Sequence, residues 1–190
     1  MLSGAENLLA ILIVLACASP YPSHAAAAPS RSSSIVLSAC ARARYPSLCV
    51  RTFILTTPSS DVDFARATTA SALSSARHSA AFLRQGPLPA SAAFRDCAGL
   101  LLHSVDQLDR VSRQLAGDKA AQRRLGDAQT WVSAAMTDQD MCLQELGAEE
   151  GAGSASKELS ARVTTAWQLA SNALYFITQL SDSRGRGRNN

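Results

Sequence analysis

Seven side chains (Phe94, Cys97, Leu101, Val105, Leu108, Val111 and Leu115) follow one another at intervals of three, four, four, three, three and four residues. A strand turns its side chains over at every second residue, so this spacing fits a helix carrying one apolar stripe. Gly117-Asp118 stops the pattern, which predicts a helix over about residues 89–115. Leu125, Ala128, Val132, Ala135, Gln139, Cys142 and Leu146 repeat it and predict a helix over about 119–146. A Gly-bounded loop at 147–153 leads to a further stripe of Leu159, Val163, Trp167, Ala170, Leu174, Ile177 and Leu180, expected over about 156–180. Upstream, Ser60 is a helix N-cap with Asp61 and Asp63 at the positive end of the dipole. That helix is expected to reach Arg84, where Gln85-Gly86-Pro87 breaks it. Four long amphipathic segments on short connections predict an all-α, antiparallel up-down-up-down four-helix bundle. Aromatic residues make up only 5% of the 190-residue chain while alanine and serine abound, so its core must be built from small side chains.

Two flanking regions stand apart from the bundle. Residues 8–18 form an eleven-residue apolar run, too short for a membrane span and right for the centre of a signal peptide; small residues follow. Residues 1–28 are therefore expected to be a cleaved leader, with the mature chain exported and free of the membrane. No Lys or Arg precedes the run, which departs from the usual pattern. At the other end, residues 183–190 carry Arg184, Arg186 and Arg188 and are expected to be a solvated, disordered tail. These three arginines match the formal charge of +3, leaving the folded domain, residues 29–182, near balance.

Removing the leader removes Cys17 and leaves Cys40, Cys49, Cys97 and Cys142, an even number that suggests two disulfides in an exported chain. Tyr45-Pro46 divides residues 35–56 into two short helices, 35–44 and 47–56, with Cys40 and Cys49 on opposite arms. A helical hairpin would bring them together. Cys97 lies near the start of one bundle helix and Cys142 near the end of the next, ends that adjoin in an antiparallel pair. No close cysteine pairing suggests zinc, and no metal or other cofactor is expected.

Catalytic groupings are absent. His103, Ser104 and Asp106 are near neighbours in sequence, but consecutive helical residues point about 100° apart and cannot assemble a triad. Asp106 and Asp109 share a face with Arg110 and Arg113, the pattern of a solvated charged surface. His78 has no partner at i+4, and Trp131 and Trp167 are expected to anchor the core. There is no Gly-rich phosphate loop, and no basic face interleaved with aromatics for nucleic acid.

Three segments resemble one known family. The run from Asp127 to Cys142, DAQTWVSAAMTDQDMC, is similar to the signature of plant invertase and pectin methylesterase inhibitors. AFRDC, ending at Cys97, and CARARYPSLC, from Cys40 to Cys49, resemble the regions around that family's other cysteines. The resemblance spans about residues 35–180. It implies a hairpin (about 35–56) on a four-helix bundle (about 60–181), with bridges Cys40–Cys49 and Cys97–Cys142. It also implies a non-enzymatic, extracellular inhibitor of the plant cell wall, one that covers its target's substrate cleft in a one-to-one complex.

Invertase inhibitors of this family carry Pro-Lys-Phe between the second and third bundle helices. Here that region reads Gly117-Asp118-Lys119-Ala120, which favours pectin methylesterase as the partner over invertase. The expected contact residues are Gln129, Thr130, Ser133, Thr137, Asp138 and Asp140, on the outward polar side of the third bundle helix. Where the family usually has Thr before its fourth cysteine, this chain has Met141. A different possibility is a non-inhibitory wall protein holding acidic pectin through its Arg-rich tail.

Overall fold

The computed structural model describes residues 31–85, 91–117, 124–148 and 153–186. All regular structure among them is helical: α1 (Arg31–Cys40), α2 (Pro46–Thr52), α3 (Asp61–Phe82), α4 (Ala92–Ala116), α5 (Leu125–Ala148) and α6 (Ser154–Arg186). The expected leader, residues 1–28, and the connections 86–90, 118–123 and 149–152 lie outside the described residues.

Local chemistry sets the helix starts. Pro46 opens α2, where its missing N–H costs nothing. At α3 the Ser60 hydroxyl accepts the Asp63 backbone N–H, while the Asp63 carboxylate accepts from the Ser59 and Ser60 hydroxyls and the Ser59 backbone N–H. Those hydrogen bonds hold the Asp63 carboxyl below its ordinary value. Ser91 caps α4 through the Phe94 N–H, and Arg66 of α3 donates to the Leu115 carbonyl near the other end.

In the bundle α3 packs chiefly on α4 and α6, and α5 on the same two, so the four helices form a square. Arg77 with Asp109, Cys97 with Cys142 and Gln129 with Thr178 mark antiparallel neighbours. Inside lie fully buried alanines (Ala65, Ala72, Ala76, Ala128, Ala135, Ala166, Ala170 and Ala173), which let the helices approach closely. Leu101, Leu108, Leu115, Leu146, Leu159 and Ile177 supply the volume.

The hairpin docks on one end. The bridge from Cys40 to Cys49 spans 5.6 Å between Cα atoms, and Phe53 packs edge-on to Phe64, which stacks on Phe176 at 5.1 Å. Asn172, almost fully buried on α6, clamps the corner between the arms: its Oδ1 accepts the Tyr45 N–H and its Nδ2 donates to the Tyr45 carbonyl, both at 3.0 Å. Asn172→Ala would strand the Tyr45 N–H, while the Tyr45 carbonyl keeps the Cys49 N–H, a loss of about 2 kcal/mol. That loss is expected to fall on hairpin docking rather than on the bundle. Trypsin cleavage after Arg42 and Arg44 should then accelerate about 30-fold, and an unchanged rate would show that the aromatic contacts alone hold the hairpin.

Four boundaries differ from expectation, one of them the start of α5, at Leu125 rather than about 119. The first hairpin arm is shifted toward the N-terminus, ending at Cys40, and the second is shorter, ending at Thr52, because residues 41–45 and 53–55 form turns and bends. Helix α3 stops at Phe82, before Arg84. Helix α6 continues through residues 183–186, where a disordered tail was expected. Ser183 donates to the Leu180 carbonyl, and Arg184 and Arg186 sit at the negative end of the dipole. Residues 187–190 lie outside the described residues. No helix among the described residues is long and apolar enough to cross a membrane.

Candidate binding face

Three cross-links fix how α5 lies against α4. Cys97 is bonded to Cys142 with 4.5 Å between Cα atoms. Gln139 Nε2 donates to Ser104 Oγ at 2.9 Å, both residues fully buried. His103 Nδ1 donates to Asp138 Oδ2 at 2.8 Å. With these inward contacts fixed, the opposite side of α5 must face outward.

Of the six residues expected on that face, four are there. Thr130, Ser133, Thr137 and Asp140 are exposed. The Thr130 and Thr137 hydroxyls donate to the carbonyls of Gly126 and Ser133, which leaves their oxygens as acceptors. Gln129 is half-buried and its Nε2 donates to Thr178 on α6. Asp138 corrects the expectation: it is buried in the seam with α4, one residue round the helix from the exposed row, and its carboxylate is taken by His103.

Burial pushes the Asp138 carboxyl above its ordinary value, and the His103 hydrogen bond opposes that rise. A raised carboxyl binds its proton more tightly in the folded chain than in the unfolded one. Its stabilising contribution is therefore full below the ordinary value of 3.8 and is lost as pH rises through the raised value. Asp138→Asn keeps an acceptor for His103 and removes the titration. Its urea midpoint is expected to match the native chain's in strong acid and to exceed it increasingly above about pH 4. A difference independent of pH would contradict the assignment.

Sequence reasoning missed the groove beside this row. Ser133, Met136, Thr137 and Asp140 of α5 meet Trp167 and Leu174 of α6 around a shallow depression of about 320 Å³. Trp167 and Leu174 had been placed on the inward stripe; both are half-buried at its edge, and Ala166, Ala170 and Ala173 take the fully inward positions. An indole is too large to lie between helices spaced by alanine, a signal the alanine-rich stripe already carried. Met141 is 47% exposed beside the row and offers a flexible thioether there.

Among the described residues, the face brings no reacting groups together. With Asp138 accepting at Nδ1, the His103 Nε2 lies 3.0 Å from Gln107 Nε2, so both ring nitrogens are engaged. Ser104 is buried on Gln139, and Asp106 pairs with Arg110, so the three residues that adjoin in sequence diverge in space. Among the described residues no His, Cys, Asp and Glu cluster could hold a metal. Between Leu125 and Ala148 the chain carries Asp127, Asp138, Asp140 and Glu145 and neither lysine nor arginine. Despite the net charge of +3, this helix is anionic.

Comparison with known proteins adds the family. The family model "plant invertase/pectin methylesterase inhibitor" matches residues 34–176. Pectinesterase inhibitor 3 of Arabidopsis thaliana is 35% identical over 168 residues, covering 80% of this chain and 82% of that one. Pectinesterase inhibitor 9 of the same plant is 29% identical, covering 94% and 96%. The fold is similar to the crystal structure of a pectin methylesterase inhibitor from Arabidopsis thaliana, with a TM-score of 0.55 at 20% identity over 77% of this chain and 96% of that one.

Proposed function

The chain belongs to the plant invertase/pectin methylesterase inhibitor family, and from that premise we propose that it is a secreted inhibitor of a pectin methylesterase. The family and the named relatives are inhibitors, and the chain is not an enzyme. It acts outside the cell, at the wall, by laying the outward side of α5 over the esterase's substrate cleft in a one-to-one complex. That binding excludes pectin without any covalent step.

The observation that carries this reading is the α5 face itself. It is a rigid row of exposed Thr130, Ser133, Thr137 and Asp140, with Trp167 at its edge and no basic side chain on the helix. Such a row suits a polar target surface, with the tryptophan as an aromatic anchor. Its charge favours a target whose cleft rim is basic, and long-range attraction of that kind weakens with salt. Gly117-Asp118-Lys119-Ala120 in place of Pro-Lys-Phe supports the esterase over invertase.

Calorimetric titration against a pectin methylesterase and, in parallel, an acid invertase tests the choice. Heat saturating at one inhibitor per esterase, with none from invertase, is expected. Binding to invertase alone would overturn the target, and binding to neither would leave an orphan bundle.

A further inference from the structure

On the other flank of α5, against α4, lies a second groove of about 360 Å³, lined by Arg110, Arg113, Gln114 and Trp131. Its composition differs from that of the depressions beside Ser74, Trp167 and Arg66. It brings two guanidiniums and an indole together and contributes no carboxylate to the lining. We propose that this groove is a binding site for a carboxylated pyranose, that is, a uronate unit of an acidic polysaccharide.

The donors are placed for a carboxylate. Arg110 uses Nε and Nη2 on Asp106, and Arg113 uses Nη1 on Asp109, so each guanidinium keeps further N–H groups for an incoming acceptor. Both arginines are about half or more exposed. Their intrahelical ion pairs are each worth only about 0.3–0.5 kcal/mol, so turning toward a ligand carboxylate costs little. A planar guanidinium grips a carboxylate with two parallel hydrogen bonds, which a lysine could not do. Gln114 is steadied by donating its Nε2 to the Arg124 carbonyl and closes one side.

The indole selects a sugar over a bare anion. Trp131 is half-buried, packed on the core from within. Its ring N–H makes no hydrogen bond among the described residues. It thus offers a fixed apolar plate with one donor, suited to the C–H face of a pyranose and to a ring hydroxyl. Phosphate or sulfate would use the arginines and gain nothing from the plate.

Two indole N–H resonances, from Trp131 and Trp167, allow a direct test by NMR on the whole oxidised chain at physiological salt. De-esterified trigalacturonate is expected to shift the Trp131 signal saturably and leave that of Trp167 in place. The fully methyl-esterified trimer should leave both unmoved. Arg110→Gln with Arg113→Gln is expected to weaken trigalacturonate binding about tenfold or more, with the amide spectrum otherwise preserved. Equal shifts from the esterified trimer or from inorganic phosphate would overturn the proposal, as would a response at Trp167 alone or none at all. No esterase enters this experiment, so its failure would leave the inhibitor reading untouched.

Discussion

Replacing Cys97 and Cys142 together by alanine is expected to lower the unfolding free energy by about 4 kcal/mol. The bridge joins residues 45 apart in sequence, and closing a loop of that length removes much freedom from the unfolded chain. Both sulfurs are fully buried among Leu101, Leu146, Leu159 and Val163, so their loss also leaves poorly filled space. Over a chain of this size the midpoint of thermal unfolding should fall by roughly 10–15 °C. The same change at Cys40 and Cys49, only 9 residues apart, is expected to cost less, about 3 kcal/mol. It should loosen the hairpin before the bundle. Guanidinium unfolding of both variants under non-reducing conditions compares them. Equal losses, or a larger loss at the hairpin, would show that the bundle bridge does not staple the core.

The second large effect is on binding. Thr137→Arg places a long cation in the middle of the exposed row of α5, between Ser133 and Asp140. The esterase complex should weaken about 100-fold, some 2.7 kcal/mol, through steric displacement and reversal of the local charge. Stability should stay within about 0.5 kcal/mol because the side chain is exposed. Ser74→Arg, at another exposed position, on α3, is the matching control and should leave inhibition intact. Inhibition constants for both variants, measured beside thermal melts, separate a lost contact from a lost fold. If the α3 variant weakens the complex and the α5 variant does not, the face has been misplaced.

What the sequence revealed, and what it hid, follows from the range of the interactions. The stripes of α4 and α5 were legible because helical periodicity is local and each stripe is bounded by glycine or an N-cap. The cysteine pairs were legible because antiparallel neighbours bring known ends together. Asn172 left no signal: its clamp on Tyr45 joins residues 127 apart, and one amide among small residues looks like any other. Asp138 was misjudged because one residue is a turn of only about 100°, and facing His103 across the seam outweighs the polar character that suggested solvent. Trp131 and Trp167 were expected to anchor the core, and Trp131 does pack on it while staying half-buried. Both lie at groove edges because the alanines beside them bring the helices too close for an indole to enter. The continuation of α6 to Arg186 was hidden by polar composition, which suggests a tail unless the dipole at the helix end is considered.

The most direct measurement is methanol release from methyl-esterified pectin by a wall pectin methylesterase, titrated with the oxidised chain. A rate that falls in proportion to added chain and levels off at one inhibitor per enzyme is the expected result. A rate unchanged in large molar excess would contradict it.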